Sequence, residues 1–482
     1  MYACHQELGA SQRSFVRSRI ASSRSGKPSL CARRPYSHRR ITKKPALNVV
    51  TADMPKSKGP AFFRNNLVDG QGNVHAESSL IEPLSRATYD ALQVIERGMH
   101  SGEGIQGCSI YTGTGGVAYM FLRLAESLRH SQSLIAQHPK QPLAKLTREC
   151  LLRRAEEYGH WANHLSHRHT KRVTFLEGHP GCLALQTAIA FLLGKTAQVQ
   201  HSMQELESWG PKVLQMPSTE CEILYGRCGF LHALLFARKY VGPTATSTRL
   251  IKQLVQQVVE EGHRGARELR TQDPSSKWEM MWSWHGSYYL GGAHGVCGIL
   301  LTLLQCYPEL EELYPGQASS LLASGVSSLL GQTAPSGNLL SSLGSENDKY
   351  VQWCHGAPSL VPLLAKAAEV LDGHVSQGTI LGAAKKAADV VWEQGLLTKG
   401  VGLCHGMSGN AYAFMSLYRV TKDDLYKERA QQFAQVMADH WKELKDIPDA
   451  PLSLFEGLGG AVCLWMDVLA PQANPPFPGY EL

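Results

Sequence analysis

Seven times along this chain, glycines spaced as GxxG lead straight into a small, apolar segment, and no other feature narrows the possible folds as far. The copies start at Gly113 (GTGG), Gly178 (GHPG), Gly226 (GRCG), Gly295 (GVCG), Gly356 (GAPS, with Ser359 replacing the second glycine), Gly406 (GMSG) and Gly457 (GLGG), 48 to 69 residues apart. A recurrence of that length is the mark of a repeat architecture. One such element would be a turn signal and nothing more. Seven in order, each before an apolar stretch, define a unit.

The segments between the glycines fix what the unit is. Leu151, Leu152, Ala155, Tyr158, Ala162 and Leu165 fall at i, i+3, i+4 spacing, and Leu250, Ile251, Leu254, Val255, Val258 and Val259 repeat the pattern, as do Leu381, Ala384, Ala388 and Val391. Each set predicts an amphipathic helix with one buried stripe. After the glycines, VAYMFLRLA (117–125), FLHALLFA (230–237) and AVCLWMDVLA (461–470) are apolar nearly all round and predict helices buried on most sides. Strand signals are sparse. The chain therefore reads as all-α, with seven hairpins able to close into a ring of inner helices jacketed by outer ones. A loop entering a helix at the crowded end of such a barrel needs positive φ or close backbone approach, and glycine allows both. At 482 residues an ordinary chain would divide into two or three domains. A repeat array escapes that limit because each unit buries its apolar face on its neighbours.

Charge is unevenly placed. The net +7 conceals a first segment, residues 1–50, with eleven Lys/Arg against Glu7 alone, so the remainder is about −3. With no basic cluster beyond that leader, nucleic-acid binding is not expected. The leader is Arg- and Ser-rich, a composition shared by mitochondrial transit peptides, by disordered tails, and by a reading frame opened upstream of a true start at Met54. It has neither a secretory apolar core nor a glycine for myristoylation. We read 1–61 as a basic, disordered extension and 62–482 as the helical ring. The best apolar window, Gly181 to Gly194, falls short of the roughly 20 residues a spanning helix needs and is expected to be a buried helix. Twelve cysteines in so long a chain do not make a disulfide scaffold; several sit in apolar segments (Cys182, Cys306, Cys463), and a reducing compartment is expected.

Two of the seven glycine loops carry a Cys-His pair: Trp353-Cys354-His355-Gly356 and Leu403-Cys404-His405-Gly406. On a ring, equivalent loops of adjacent hairpins lie side by side at one end, so Cys354, Cys404 and His405 can converge on one ion. Two thiolates and an imidazole are a zinc set that leaves a fourth tetrahedral position open, as catalytic sites do. The competing reading is a pair of buried cysteines with hydrogen-bonded histidines. His294, in GGAHG, stands in an equivalent loop without a cysteine and is either a proton-transfer group or a histidine capping its loop. Lys399, five residues before Cys404, either holds an anionic group at the same mouth or is a solvated lysine.

WCHGAP, GLCHGMSGNAYAF, GGAHG, the YGRCG turn, SLFEGLGG and the terminal FPGYEL together resemble the LanC-like proteins, eukaryotic relatives of the lantibiotic cyclases. The resemblance runs from about residue 62 to Leu482. It implies an (α/α)7 double-layered toroid of inner and outer seven-helix barrels, with one Zn2+ per chain held by Cys354, Cys404 and His405. It also implies an active-site histidine at His294 and a glutathione-binding lysine at Lys399. The activity it implies is zinc-dependent addition of the glutathione thiol to dehydroalanine or dehydrobutyrine in peptides and proteins, or to other small electrophiles, as a glutathione transferase. His355 is the second choice for the proton donor. The family reading places the chain in the cytoplasm and admits peripheral association with the plasma membrane; oligomeric state is left open. The rivals are a glutathione- and zinc-binding adaptor without turnover and a peptide cyclase making lanthionine rings. A glycan-processing barrel would need paired carboxylates, and only Glu456 stands in a suggestive loop. Two positions depart from the family pattern: Ser359, and Glu177 where relatives often have cysteine.

Overall fold

The alternation of one-sided and all-round apolar helices runs through the computed structural model, which describes residues 62–67, 77–102, 105, 107–169, 171–371, 373 and 376–482. The basic leader, with its transit-peptide, tail and start-site readings, lies outside the described residues. In chain order the helices are α1 (Glu77–Ser101), α2 (Thr114–Ala136), α3 (Arg148–His169), α4 (His179–Leu192), α5 (Thr196–Ser208), α6 (Gly210–Leu214), α7 (Arg227–Val241), α8 (Thr248–Gln272), α9 (Val296–Gln305), α10 (Tyr307–Leu313), α11 (Ala318–Leu330), α12 (Ala357–Val370), α13 (Gln377–Gln394), α14 (Met407–Thr421), α15 (Asp424–Leu444) and α16 (Leu458–Asp467). Among the described residues there is no β-strand, only isolated bridges such as Trp284–Ser287.

Each glycine element opens an inner helix: α2, α4, α7, α9, α12, α14 and α16. Each of these packs on the next around the barrel, and α16 packs back on α2. The outer layer closes at the same seam, where α1 lies against α15 and α16. The result is the expected double-layered toroid. The predicted stripes of the outer helices face the inner layer, except that the first ends at Ala162 and leaves Leu165, near the end of α3, exposed; on α8, Leu250, Ile251, Leu254, Val255, Val258 and Val259 are all buried. Each such side chain contributes about 1.5–3 kcal/mol on burial. Ser247 caps α8 by accepting from Leu250 N, which fixes where the stripe begins. The apolar window at Gly181 is α4, buried on nearly every residue.

The glycines owe their place mainly to close approach. Six of the seven capping glycines are extended, a conformation open to any residue; Gly356 alone has positive φ, 125°. What forbids a side chain is backbone contact. A Cβ on Gly181 would stand 1.7 Å from the Phe175 carbonyl oxygen, and one on Gly409 would stand 1.9 Å from that of Leu403. In both cases the obstructing carbonyl is six residues earlier, so the second glycine lets each inner helix start directly against its own rim loop. The fifth unit departs from this: with Gly356 turned, Ser359 fits and its Oγ donates to the Gly356 carbonyl at 3.0 Å.

Two further features position the site. First, the closing seam is pinned by a buried ion pair, Arg123 on α2 to Asp467 on α16 at 2.6 Å, with Tyr412 Oη on α14 donating to the same carboxylate at 2.6 Å. Second, residues 477–481 are buried within the barrel. Glu481 accepts from Ser416 Oγ at 2.7 Å and pairs with Arg419. The rings of Tyr480 and Phe477 lie 5.3 and 5.9 Å from Trp353, the residue before Cys354. The tail is thus the floor beneath one of the cysteine loops.

His232 on α7 is wholly buried against Phe175, ring centroids 4.8 Å apart, with neither ring nitrogen hydrogen-bonded. Burial, aided by the charge of Lys239, drives its pKa down to about 3. The folded state therefore holds it neutral while the unfolded chain protonates near 6.5. Stability from this group is complete above pH 6.5 and is lost as pH falls toward 3, by about 2 kcal/mol at pH 5. Denaturant midpoints of wild type and His232→Leu at pH 7.5 and 5 should show wild type losing more by roughly that amount; equal losses would mean that the imidazole is protonated in place.

Candidate metal centre

Six of the seven junctions between neighbouring rim loops are made through the main chain. Tyr111 N donates to Leu176 O (3.0 Å), Phe175 N to Gly229 O (2.9 Å), Gly292 N to Trp353 O (3.3 Å), Cys354 N to Cys404 O (3.3 Å), Cys404 N to Phe455 O (2.7 Å) and Phe455 N to Tyr111 O (3.0 Å). Equivalent loops do lie side by side. The third and fourth loops are joined by side chains: His294 Nδ1 meets Glu222 Oε2 at 2.9 Å.

In every rim loop the residue just before the capping glycine is half-buried while the residues after it are buried. These residues form a ring around the mouth: Thr112, Glu177, Tyr225, His294, His355, His405 and Glu456. One wall holds the three histidines, the two thiols and Lys399. The other holds the two carboxylates, with Arg172 set over the Tyr225 ring at 4.2 Å.

One ligand atom from each of Cys354, Cys404 and His405 lies within 4.8 Å of the others. Tetrahedral donors about 2.0–2.3 Å from a zinc ion stand roughly 3.5–3.8 Å apart, so side-chain movements of about an ångström suffice to close the set. The donor chemistry fits too. Burial, reinforced by Lys399, holds the His405 pKa below its ordinary value and keeps the ring neutral for coordination. The two thiols are driven apart: the neighbouring Cys404 is the main influence lowering the Cys354 pKa, ahead of Gln352 and Lys399, while Cys354 and burial raise that of Cys404. The residues present suit zinc, and a fourth position is left for a ligand from outside.

His294 is held on three sides. Its Nδ1 is on Glu222, a side chain 2% exposed that also accepts from Leu224 N (2.8 Å) and Tyr225 N (2.5 Å). The indole of Trp284 stacks flat on the imidazole, centroids 3.8 Å apart at 4°, and Tyr225 stacks at 5.8 Å. Trp284 is presented by a two-residue hairpin turn in which His285 and Gly286 both take positive φ (46° and 75°). With Nδ1 engaged, Nε2 is left as the working nitrogen. His355 has its pKa lowered by burial first and then by His294 and Lys399, which places the three groups within electrostatic reach of each other. Its Nδ1 is buried without a partner. Lys399 does reach the mouth: its Nζ donates to Gln352 Oε1 at 3.2 Å and lies 5.7 Å from the Tyr350 ring.

Sequence reasoning missed Glu222, Trp284, Gln352 and Tyr111, whose ring stacks on Phe455 at 4.8 Å. It also passed over Glu177 as a second mouth carboxylate; burial pushes the Glu177 pKa up to about 7, opposed by Arg172 and reinforced by Glu456. Aligning the seven loops on one another, rather than reading each alone, would have exposed the ring position that both Glu177 and Glu456 occupy.

A closed double ring of seven helix pairs with a Cys2His set at one mouth defines a class of protein, and the comparisons identify it. The family model of lanthionine synthetase C-like proteins matches residues 104–482, and the chain belongs to that family. It is 32% identical over 426 residues to "Glutathione S-transferase LANCL1" of Danio rerio, covering 86% of this chain and 95% of that one. It is 33% identical over 422 residues to "LanC-like protein GCL1" of Arabidopsis thaliana, covering 83% and 89%. Among solved structures, nisin cyclase shares the fold at a TM-score of 0.57 and 13% identity, over 79% of this chain and 93% of that chain.

Proposed function

We propose that the chain binds one zinc ion through Cys354, Cys404 and His405 and adds the thiol of glutathione to dehydroamino acids in peptides and proteins, or to other small electrophiles. The observation that carries this reading is the convergence of those three donors beside a histidine already oriented by a buried carboxylate. The name of the zebrafish relative, a glutathione transferase, supports the choice of thiol.

Bound zinc would supply a depressed thiol pKa, and so the nucleophilic thiolate form, at the open coordination position. The remaining work falls to side chains. Lys399 meets an anionic group of the glutathione. Addition to the β-carbon leaves an enolate whose α-carbon needs a proton. The proton lost by the thiol is the one required, and His294 Nε2 returns it, with Glu222 stabilising the imidazolium between the two transfers. His355 is the alternative donor. Trp284 and Tyr225 keep the imidazole from rotating.

Incubating the protein with glutathione and a dehydroalanine peptide, with and without a chelator, tests the proposal by mass. We expect an adduct of one glutathione that disappears on metal removal and returns with zinc. An adduct indifferent to complete metal removal overturns it. Glutathione binding without adduct would instead favour an adaptor, and ring closure within a cysteine-bearing peptide a cyclase. Cytoplasmic residence, with peripheral contact at the plasma membrane, remains part of the proposed reading. Among the described residues, no helix is long and apolar enough to cross a membrane.

A further inference from the structure

The mouth contains a hydrogen-bonded chain that zinc ligation does not by itself require. Lys399 Nζ donates to Gln352 Oε1 at 3.2 Å, and Gln352 Nε2 donates to Cys354 Sγ at 3.2 Å. The order is forced by chemistry. An ammonium has donors only, so it must meet the amide oxygen, and the amide nitrogen is then left for the sulfur. Gln352 is 7% exposed and cannot exchange these partners for bulk water. Its place is fixed by a tight turn in which Gln352 N donates to His355 O (3.3 Å) and His355 N to Gln352 O (3.1 Å).

The cation polarises the amide, and the amide N–H draws charge from the sulfur; linked hydrogen bonds of this kind strengthen one another. Donors on ligand atoms outside the coordination sphere are a recognised means of tuning a metal centre. The amide donor on Cys354 is itself backed by a half-buried lysine at the mouth.

We propose that Gln352 is a positioning residue through which Lys399 withholds charge from the Cys354 sulfur, and that an anionic co-substrate releases that charge by drawing Lys399 away. This rests on the zinc and glutathione reading above. It adds to that reading a coupling: the group that recognises the co-substrate anion is the same group that restrains the centre, so recognition and activation are one event. The amide hydrogen bond weakens when the ammonium leaves its oxygen, the sulfur regains charge, and a thiolate bound beside it becomes more nucleophilic.

Cobalt(II) substitution reads this without turnover, because the energy of the sulfur-to-cobalt charge-transfer band falls as the sulfur becomes richer in charge. Gln352→Met, close in size but without the donor, should shift the band to lower energy. Lys399→Met should shift it in the same direction by less, and the double variant should match Gln352→Met alone. The thiol-free analogue of glutathione, with methyl in place of SH, should move the wild-type band toward that of Lys399→Met and leave Gln352→Met unmoved. Additive shifts, or identical bands in wild type and Gln352→Met, overturn the relay. A wild-type band that ignores the saturating analogue overturns the release. If Gln352→Met does not fold, Lys399→Met carries the same test, and an unchanged band in it is fatal. Wild-type protein that takes up no cobalt defeats the metal reading, and the relay with it.

Discussion

Cys404→Ala protein is expected to purify folded and nearly free of zinc. A zinc site of four ligands binds with about 10–16 kcal/mol, so one ligand is worth roughly 3–4 kcal/mol, or a loss of about 10²- to 10³-fold in affinity. The helices should survive because the packing of seven units on one another, not the metal, holds the ring. Cys404 is 4% exposed, and alanine there removes a sulfur while leaving its two main-chain hydrogen bonds to the neighbouring rim loops intact. Metal analysis beside circular dichroism decides the point. Full zinc occupancy in Cys404→Ala would remove that residue from the ligand set, whereas an unfolded variant would assign the cysteine a packing role that the rim bonds argue against.

His294→Asn should keep zinc and glutathione binding and slow the addition by about 10²–10⁴-fold, the range of a positioned acid–base group. That loss corresponds to about 3–5 kcal/mol of transition-state stabilisation. Asparagine can still bond Glu222, so the rim link between the third and fourth loops is spared, and what is lost is Nε2. A histidine that merely joins those loops predicts the reverse: a lower melting temperature with turnover per zinc-loaded molecule unchanged. Measuring melting temperature, zinc content and adduct rate on one preparation separates the two. An unaltered rate would move proton delivery to His355 or to water.

The architecture was legible because its determinants are local and repeated. The stripe on α8 and the all-round apolar run of α4 each announce one helix, and the recurring glycines say how many times the unit occurs. The three donors were legible because cysteine and histidine are rare enough to stand out in a loop. Glu222 was not, since an acid two residues before Tyr225-Gly226 looks like any other until folding brings it to His294, 72 positions away. Gln352 was passed over because an amide has no chemistry of its own; it matters only once Lys399 and Cys354 stand on either side of it. The glycines were read correctly as necessary and only in part for the right reason. The carbonyl that a Cβ would strike at Gly181 or Gly409 lies within the same unit, but its position depends on the rim loop being folded.

The seam between α16 and α2 sets this molecule apart from repeat proteins that run open at both ends. Arg123 and Asp467, which meet there, are 344 positions apart in the chain. The entropy of joining such distant segments grows only with the logarithm of their separation, about 0.6 kcal/mol per doubling, so the seam costs little at equilibrium. It weighs instead on the rate, because contacts of long sequence separation form late. A linear array can lose a unit and survive as a shorter array. Here the excision of one hairpin would strand the edges of two others and pull the fifth and sixth loops out of register, so length variation in this protein should be confined to the loops, with the number of units held at seven.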